Sequence, residues 1–354
     1  MLTKRSVLIL AAVTVVVTAG AIGAQYVRWT DTIRSVESEP AFPNIGAALS
    51  DVAKIKIVRG GDNPSGSFGF SKINDRWTMD EKGGFPATES VVREMLLGFT
   101  ELELVEAKTR DPKRFGKLHL SDTAQPDSKA SRVVLSDAGG KPLLDALFGK
   151  RVPSISGGKP SIYMRRQGED QTWLATGELE IRAGAVEWLP NDLVSILRER
   201  VERTTHIAPG EKRLELYYND THQRFDIVDL PETLKVSSRY RLLQAAILQE
   251  RLGFEDVRPS DGLKVDPALG GAIWQTRDGL TVTLGLARDP NAATDADNKR
   301  VWAMISVDVA ADAEEKVVKE GADIVKRTKG WAYWLGNDAM KRLWATREDL
   351  TEAK

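Results

Sequence analysis

The chain has 354 residues, 42% hydrophobic and 29% charged, enough to bury a sizeable core and, by size, in the range of two domains. Fifty basic residues against fifty-one acidic ones leave a formal net charge of −1, so no overall electrostatic footprint exists for nucleic acid or for an anionic bilayer. With no cysteine, disulfides, thiolate zinc sites, cysteine nucleophiles and lipidated cysteine anchors are all excluded.

Lys4 and Arg5 precede an uncharged run from Ser6 to Val27, close to the ~20 residues that span hydrocarbon. Residues 1–29 read as an uncleaved transmembrane anchor. The alternative, a signal peptide cut near Ala21-Ile22-Gly23, has a shorter apolar region of roughly 7 to 15 residues. Tyr26 and Trp29 suit the far interface, and Lys4, Arg5 and the terminal amine favour a cytoplasmic N-terminus, although Arg28 and Arg34 weaken the asymmetry. Residues 30–50, polar and interrupted by Pro40 and Pro43, read as a stalk.

The body then opens as a first unit, residues 51–200. Ile55 and Ile57 alternate with Lys54 and Lys56, and Phe68, Phe70, Trp77 and Met79 keep a two-residue rhythm around the Asn74-Asp75 turn, which predicts three strands. Val91, Val92, Met95, Leu96 and Phe99 make the stripe of a helix with Thr88 as its N-cap. Strands follow at 102–107, 132–136, 143–148, 161–166 and 172–175. The turns between them include Gly139-Gly140-Lys141-Pro142, repeated as Gly157-Gly158-Lys159-Pro160. Asn191 or Asp192 is predicted to cap a short helix carrying Leu193, Ile196 and Leu197.

A second unit, residues 201–354, repeats this order. Leu214, Leu216, Phe225 and Ile227 predict strands, Ser237 or Ser238 caps a helix bearing Leu243, Ala246 and Ile247, and strands return at 254–257, 272–276, 280–284 and 301–307. An amphipathic helix over 313–328 is its one departure. Trp188-Leu189-Pro190-Asn191-Asp192 recurs as Trp334-Leu335-Gly336-Asn337-Asp338, so Trp188, Leu189, Asn191, Asp192, Trp334, Leu335, Asn337 and Asp338 are read as the structural core of a repeat. The fold class is thus α+β, an N-terminal transmembrane helix followed by two tandem repeated domains of mainly antiparallel sheet with packed helices.

No catalytic, cofactor or metal site emerges. His119, His206 and His222 lack metal-pair spacing. Ser156-Gly157-Gly158-Lys159 spells a Ser-x-x-Lys motif, but its glycines and Pro160 make a turn where that chemistry needs a helix start. Asp289, Asn291, Asp295, Asp297 and Asn298 crowd one loop that lacks the EF-hand's turn glycine and closing glutamate. Glu169 and Asp170 fall in a turn. Trp302, Trp331 and Trp344 are the candidate interaction residues, since tryptophan is prominent among interface hot spots.

Several stretches together resemble the family of the domain of unknown function 4340: the anchor, Phe42-Pro43, Val52-Ala53-Lys54-Ile55, Trp77, Leu102-Glu103-Leu104-Val105, Tyr163-Met164-Arg165-Arg166 and Trp173-Leu174. That family comprises bacterial membrane-anchored auxiliary proteins of gliding-motility-type ABC transporters and has no established catalytic residues. The resemblance implies a non-enzymatic accessory subunit on the periplasmic face of the inner membrane, single-pass, with integral-membrane transporter subunits as partners and no cofactor. A tethered periplasmic binder of an envelope glycan, lipid or peptide is the alternative.

Overall fold

The computed structural model describes residues 38–61, 66–154, 158–210, 212–291 and 300–354. Among them, β1 (Glu39–Pro40), β2 (Lys54–Arg59), β3 (Phe68–Ile73), β4 (Arg76–Met79), β5 (Phe85–Pro86), β6 (Glu103–Ala107), β7 (Ser131–Ser136), β8 (Pro142–Val152), β9 (Ser161–Arg166) and β10 (Thr172–Thr176) form one antiparallel sheet. Alternation sets its faces: Ile55 and Ile57 are buried where Lys54 and Lys56 are exposed, and Phe68, Phe70, Trp77 and Met79 continue the buried face. Between β3 and β4 the chain turns at Asn74 and Asp75, both at positive φ, as a two-residue type I′ hairpin requires.

The predicted stalk is corrected from residue 38 onward, because the chain there is docked. β1 pairs with β6, and Ala41 and Ile45 are buried, the latter in the one-turn helix α1 (Ile45–Ala48). The Phe42 ring sits 6.2 Å from Phe99 and 6.3 Å from Phe148. Arg166 donates to the Ala41 carbonyl at 2.8 Å. The two prolines end repeating structure without preventing the apolar side chains between and beyond them from finding the core. Phe99 belongs to α2 (Glu89–Thr100), which buries Val92, Met95, Leu96 and Phe99 on its sheet-facing side, each worth roughly 1.5–3 kcal/mol against exposure. Thr88 is at the N-cap, but its side chain makes no capping bond, and its backbone N–H donates to the Trp188 carbonyl at 2.7 Å.

The second sheet contains β11 (Val201–Ala208), β12 (Lys212–Asn219) and β13 (Arg224–Ile227). β14 (Leu234–Val236) leaves it, and the helix α3 (Arg239–Ala246) follows, capped by Ser238, which accepts from Arg241 N–H. β15 (Asp256–Pro259), β16 (Gly271–Thr276), β17 (Leu280–Arg288) and β18 (Val301–Val309) come next. Helix α4 (Glu315–Thr328), β19 (Trp331–Trp334) and helix α5 (Asn337–Leu343) complete this part, and β20 (Thr351–Ala353) pairs with β14.

Strand order in the first sheet is β1-β6-β10-β9-β8-β7-β2-β3-β4-β5, and in the second β13-β12-β11-β16-β17-β18-β19-β15. Taken from its other end, the second reproduces the run from β6 to β4 strand for strand, with β11 in the place of β2. Helix α4 breaks the parallel: it is inserted between β18 and β19, where β9 and β10 are joined by a short turn. It buries Val317, Gly321, Ile324 and Thr328. At Gly321 a Cβ would stand 2.7 Å from Val309 Cγ2, so glycine lets helix and sheet approach.

One further expectation needs adjustment. Residues 193–197 form no helix, for reasons given below. Among the described residues no helix is long and apolar enough to cross a membrane, and the predicted anchor at 1–29 lies outside them.

β11 places Thr204 and His206 on a buried face, with Trp274 directly across from Thr204 and α5 packed over the strand. Neither His206 ring nitrogen has a hydrogen-bond partner. Burial pushes its pKa from 6.5 down to about 4, partly offset by the Arg342 backbone on α5, which makes no aligned hydrogen bond. Between those two values the unfolded chain binds a proton that the folded chain refuses, so stability falls as the pH drops from 6.5 toward 4. The loss amounts to about 3 kcal/mol and levels off below the folded value. In urea titrations across this window, His206→Leu is expected to flatten the pH dependence by that amount relative to the parent; parallel slopes would contradict the assignment.

Candidate functional site: the seam between the sheets

The two sheets meet where β5, the last strand of the first, lies against β15, the last strand of the second. Phe85 is the centre of the joint. Its ring is edge-on to Trp331 at 4.8 Å, to Phe254 at 5.8 Å and to Tyr333 at 6.2 Å, and the Phe254 and Tyr333 rings meet at a tilt with centroids 5.2 Å apart. Such geometry adds about 0.5–1.5 kcal/mol per pair beyond the area buried. Burial also pushes the Tyr333 phenol above its usual range, and its hydroxyl donates to the Arg327 carbonyl at 3.2 Å. Beside the rings, Lys82 pairs with Asp256 at 2.6 Å, and Arg300 takes the other Asp256 oxygen at 3.2 Å. Gly83, at φ +64°, leaves room for Pro259; a Cβ there would fall 2.5 Å from the proline ring.

The linker from 189 to 200 seals the joint and explains the missing helix. Its backbone groups are satisfied across the seam instead of within a turn. Leu193 N–H donates to Leu252 O, Leu252 N–H to Val194 O and Ile196 N–H to Gln249 O, at 2.9 to 3.0 Å. Asn191 Oδ1 accepts from Phe254 N–H at 2.6 Å, and Arg198 forks onto Glu250. Arg200 makes a second fork, onto Glu320 of α4 at 2.8 and 2.9 Å.

At the rim of the seam a cleft of about 390 Å³ opens between the two halves. Phe85, Pro86, Pro190, Leu193 and Trp331 provide its apolar surface; Arg76, Asp192, Asp323, Lys326 and Arg327 its charge. Arg327 is partly committed, since its Nε donates to the Leu193 carbonyl at 3.1 Å.

The residues singled out in the sequence are scattered around this joint. Trp188 is fully buried, 5.3 Å from Phe70 and 6.0 Å from Phe68, at the end of a 3-10 turn, and Leu189 is buried after it. Trp334 instead ends β19, partly exposed beneath the Arg300 guanidinium at 4.6 Å, with Leu335 buried and Asn337 and Asp338 exposed at the start of α5. The two pentapeptides therefore share letters but not surroundings: Trp188 follows β10 at a distance, whereas Trp334 lies within its counterpart β19. Of the candidate interaction residues, Trp331 lines the cleft. Trp302 is buried under Arg258, and Trp344 donates from its indole to the Leu269 carbonyl at 3.0 Å. Phe85, Arg76, Asp323 and Lys326 went unremarked in the sequence.

Among the described residues no cluster of histidine, aspartate and glutamate is arranged to hold a metal ion. Asp289 is held below its ordinary carboxylate pKa by the Asn291 backbone N–H and by Arg258; residues 292–299 of that loop lie outside the described residues, as does Ser156. Lys159 is exposed and pairs with Glu101, and Glu169 and Asp170 are exposed after β9.

These features define a mixed α+β protein built on two large antiparallel sheets of one strand order joined through an aromatic seam. The family model described as domain of unknown function (DUF4340) matches residues 77–264, and the chain belongs to that family. The matched stretch runs from β4 through the linker to just past β15, so it contains Phe85, Asn191 and Phe254 together. No curated protein and no solved structure matches the chain.

If the seam couples the halves, Phe85→Ala should cost about 3–5 kcal/mol and divide one cooperative unfolding transition into two. Urea unfolding followed in parallel by tryptophan fluorescence and far-ultraviolet circular dichroism checks this; coincident single transitions in the variant would rule the coupling out.

Proposed function

We propose that the protein is a non-enzymatic accessory subunit of an ABC-type transport complex, anchored by residues 1–29 in the bacterial inner membrane with its body in the periplasm. The observation that carries this reading is the family membership over residues 77–264, taken with the uncharged run from Ser6 to Val27. We also infer that the two halves descend from one duplicated module, a reading supported by the shared strand order. The packed seam suits a subunit that presents a fixed surface, since a hinged pair of lobes closing on a ligand needs a joint that can open. Anchoring would raise the effective concentration for a membrane partner.

A second reading, a tethered binder of an envelope glycan, lipid or peptide, draws on the cleft, because ligands often lie between domains.

Crosslinking in native membranes, followed by mild detergent extraction and mass spectrometry, discriminates them. The expected result is recovery of permease or ATPase subunits of one ABC transporter with the full-length chain. Recovery of the chain as a monomer free of such subunits would overturn the accessory role.

A further inference from the structure

We propose that the cleft at the seam receives an extended segment of a partner protein, one bearing an apolar side chain between charges of both signs. The proposal rests on the reading of the protein as an assembly subunit and gives that reading a surface.

Charge carries the argument. Around the seam, ionic groups are mostly spent within the chain: Lys82 and Arg300 on Asp256, Arg198 on Glu250, Arg200 on Glu320. Four groups at the cleft depart from this pattern. Arg76 and Lys326, and likewise Asp192 and Asp323, line the opening. Among the described residues none of the four makes an ion pair or a side-chain hydrogen bond, although Asp323 and Lys326 stand three residues apart on one helix, a spacing that favours pairing. The cleft thus offers two cations and two anions around the apolar surface of Phe85 and Trp331.

A polypeptide can answer both signs from one strand while placing an apolar side chain between them. A neutral glycan leaves all four charges unanswered, and an acidic one leaves both aspartates so. An acyl chain gains most from an enclosed apolar cavity, whereas this cleft is open and charged at its rim. At about 390 Å³ it lies toward the small end of ligand clefts, which run roughly 300–1,000 Å³, and suits a few side chains better than a folded surface.

The cleft is also preorganised. One wall is the C-terminal part of α4, the helix inserted into the second half. That helix is tied to the linker by Arg200 on Glu320 and by Arg327 on the Leu193 carbonyl. Walls held in place before binding lower the ordering cost of association.

The test uses the full-length chain in its native membrane. Arg76→Glu combined with Lys326→Glu reverses two exposed charges and should leave the melting temperature unchanged; Lys159→Glu, remote from the seam, is the control. Recovery of crosslinked transporter subunits is expected to fall at least about tenfold in the double variant, by analogy with charge pairs worth 1.4 kcal/mol or more, and to stay at the parental level in the control. A photoreactive residue introduced at Asp323 should crosslink to a defined peptide of one of those subunits. Parental recovery in the double variant, or a photocrosslink to lipid or glycan, would overturn the docking proposal while leaving the accessory role intact. Failure of the parent itself to recover any transporter subunit would remove both.

Discussion

Four rings, Phe85 with Phe254, Trp331 and Tyr333, exclude water from the line where the two sheets abut, and the rest of the joint is conditioned by that exclusion. Once the rings are packed, the linker backbone beside them cannot rely on solvent and must find protein partners, which the 249–254 segment supplies. The same dryness strengthens Lys82 on Asp256, whose side chains are both about four-fifths covered. The sheet edges at β5 and β15 are covered by one another, which also removes a template for aggregation.

The shared strand order shows how one pattern is put to two uses. In the first half β5 stays in its sheet and carries Phe85 into the seam. In the second, β14 departs to pair with β20 near the C-terminus, and α4 enters between β18 and β19. Both departures lie in connections that strand pairing does not constrain. The order of the central strands is fixed by hydrogen bonds on both sides, while a connection at the sheet's end can lengthen without disturbing them.

Much of the sheet structure was legible because it obeys a two-residue rhythm, as Ile55, Ile57, Phe68, Phe70, Trp77 and Met79 do. β11 escaped notice for the opposite reason: Glu202 and Arg203 interrupt any apolar rhythm, and its inward positions include the polar Thr204 and His206. The seam was invisible for a different cause. Phe85, Phe254 and Tyr333 lie far apart in the chain and belong to no common periodicity, so nothing local announces that they meet. The cap residues and the spacing of Leu193, Ile196 and Leu197 misled about the helix after Trp188, because the fate of Asn191 is decided by a distant N–H at Phe254 and not by its neighbours. The cleft charges were equally silent, since lone surface ions are common and acquire interest only when four of them share a rim.

The docking of residues 39–48 has a mechanical corollary. β1 and β5 are opposite edges of the ten-stranded sheet, so nine spacings of about 4.8 Å separate them, roughly 43 Å along the curved surface. Whatever precedes residue 38 joins the body at one extremity, and the aromatic joint occupies the other. Under the proposed anchoring, the body would act as a cantilever: a few degrees of tilt at β1 would sweep the aromatic joint through a few ångströms.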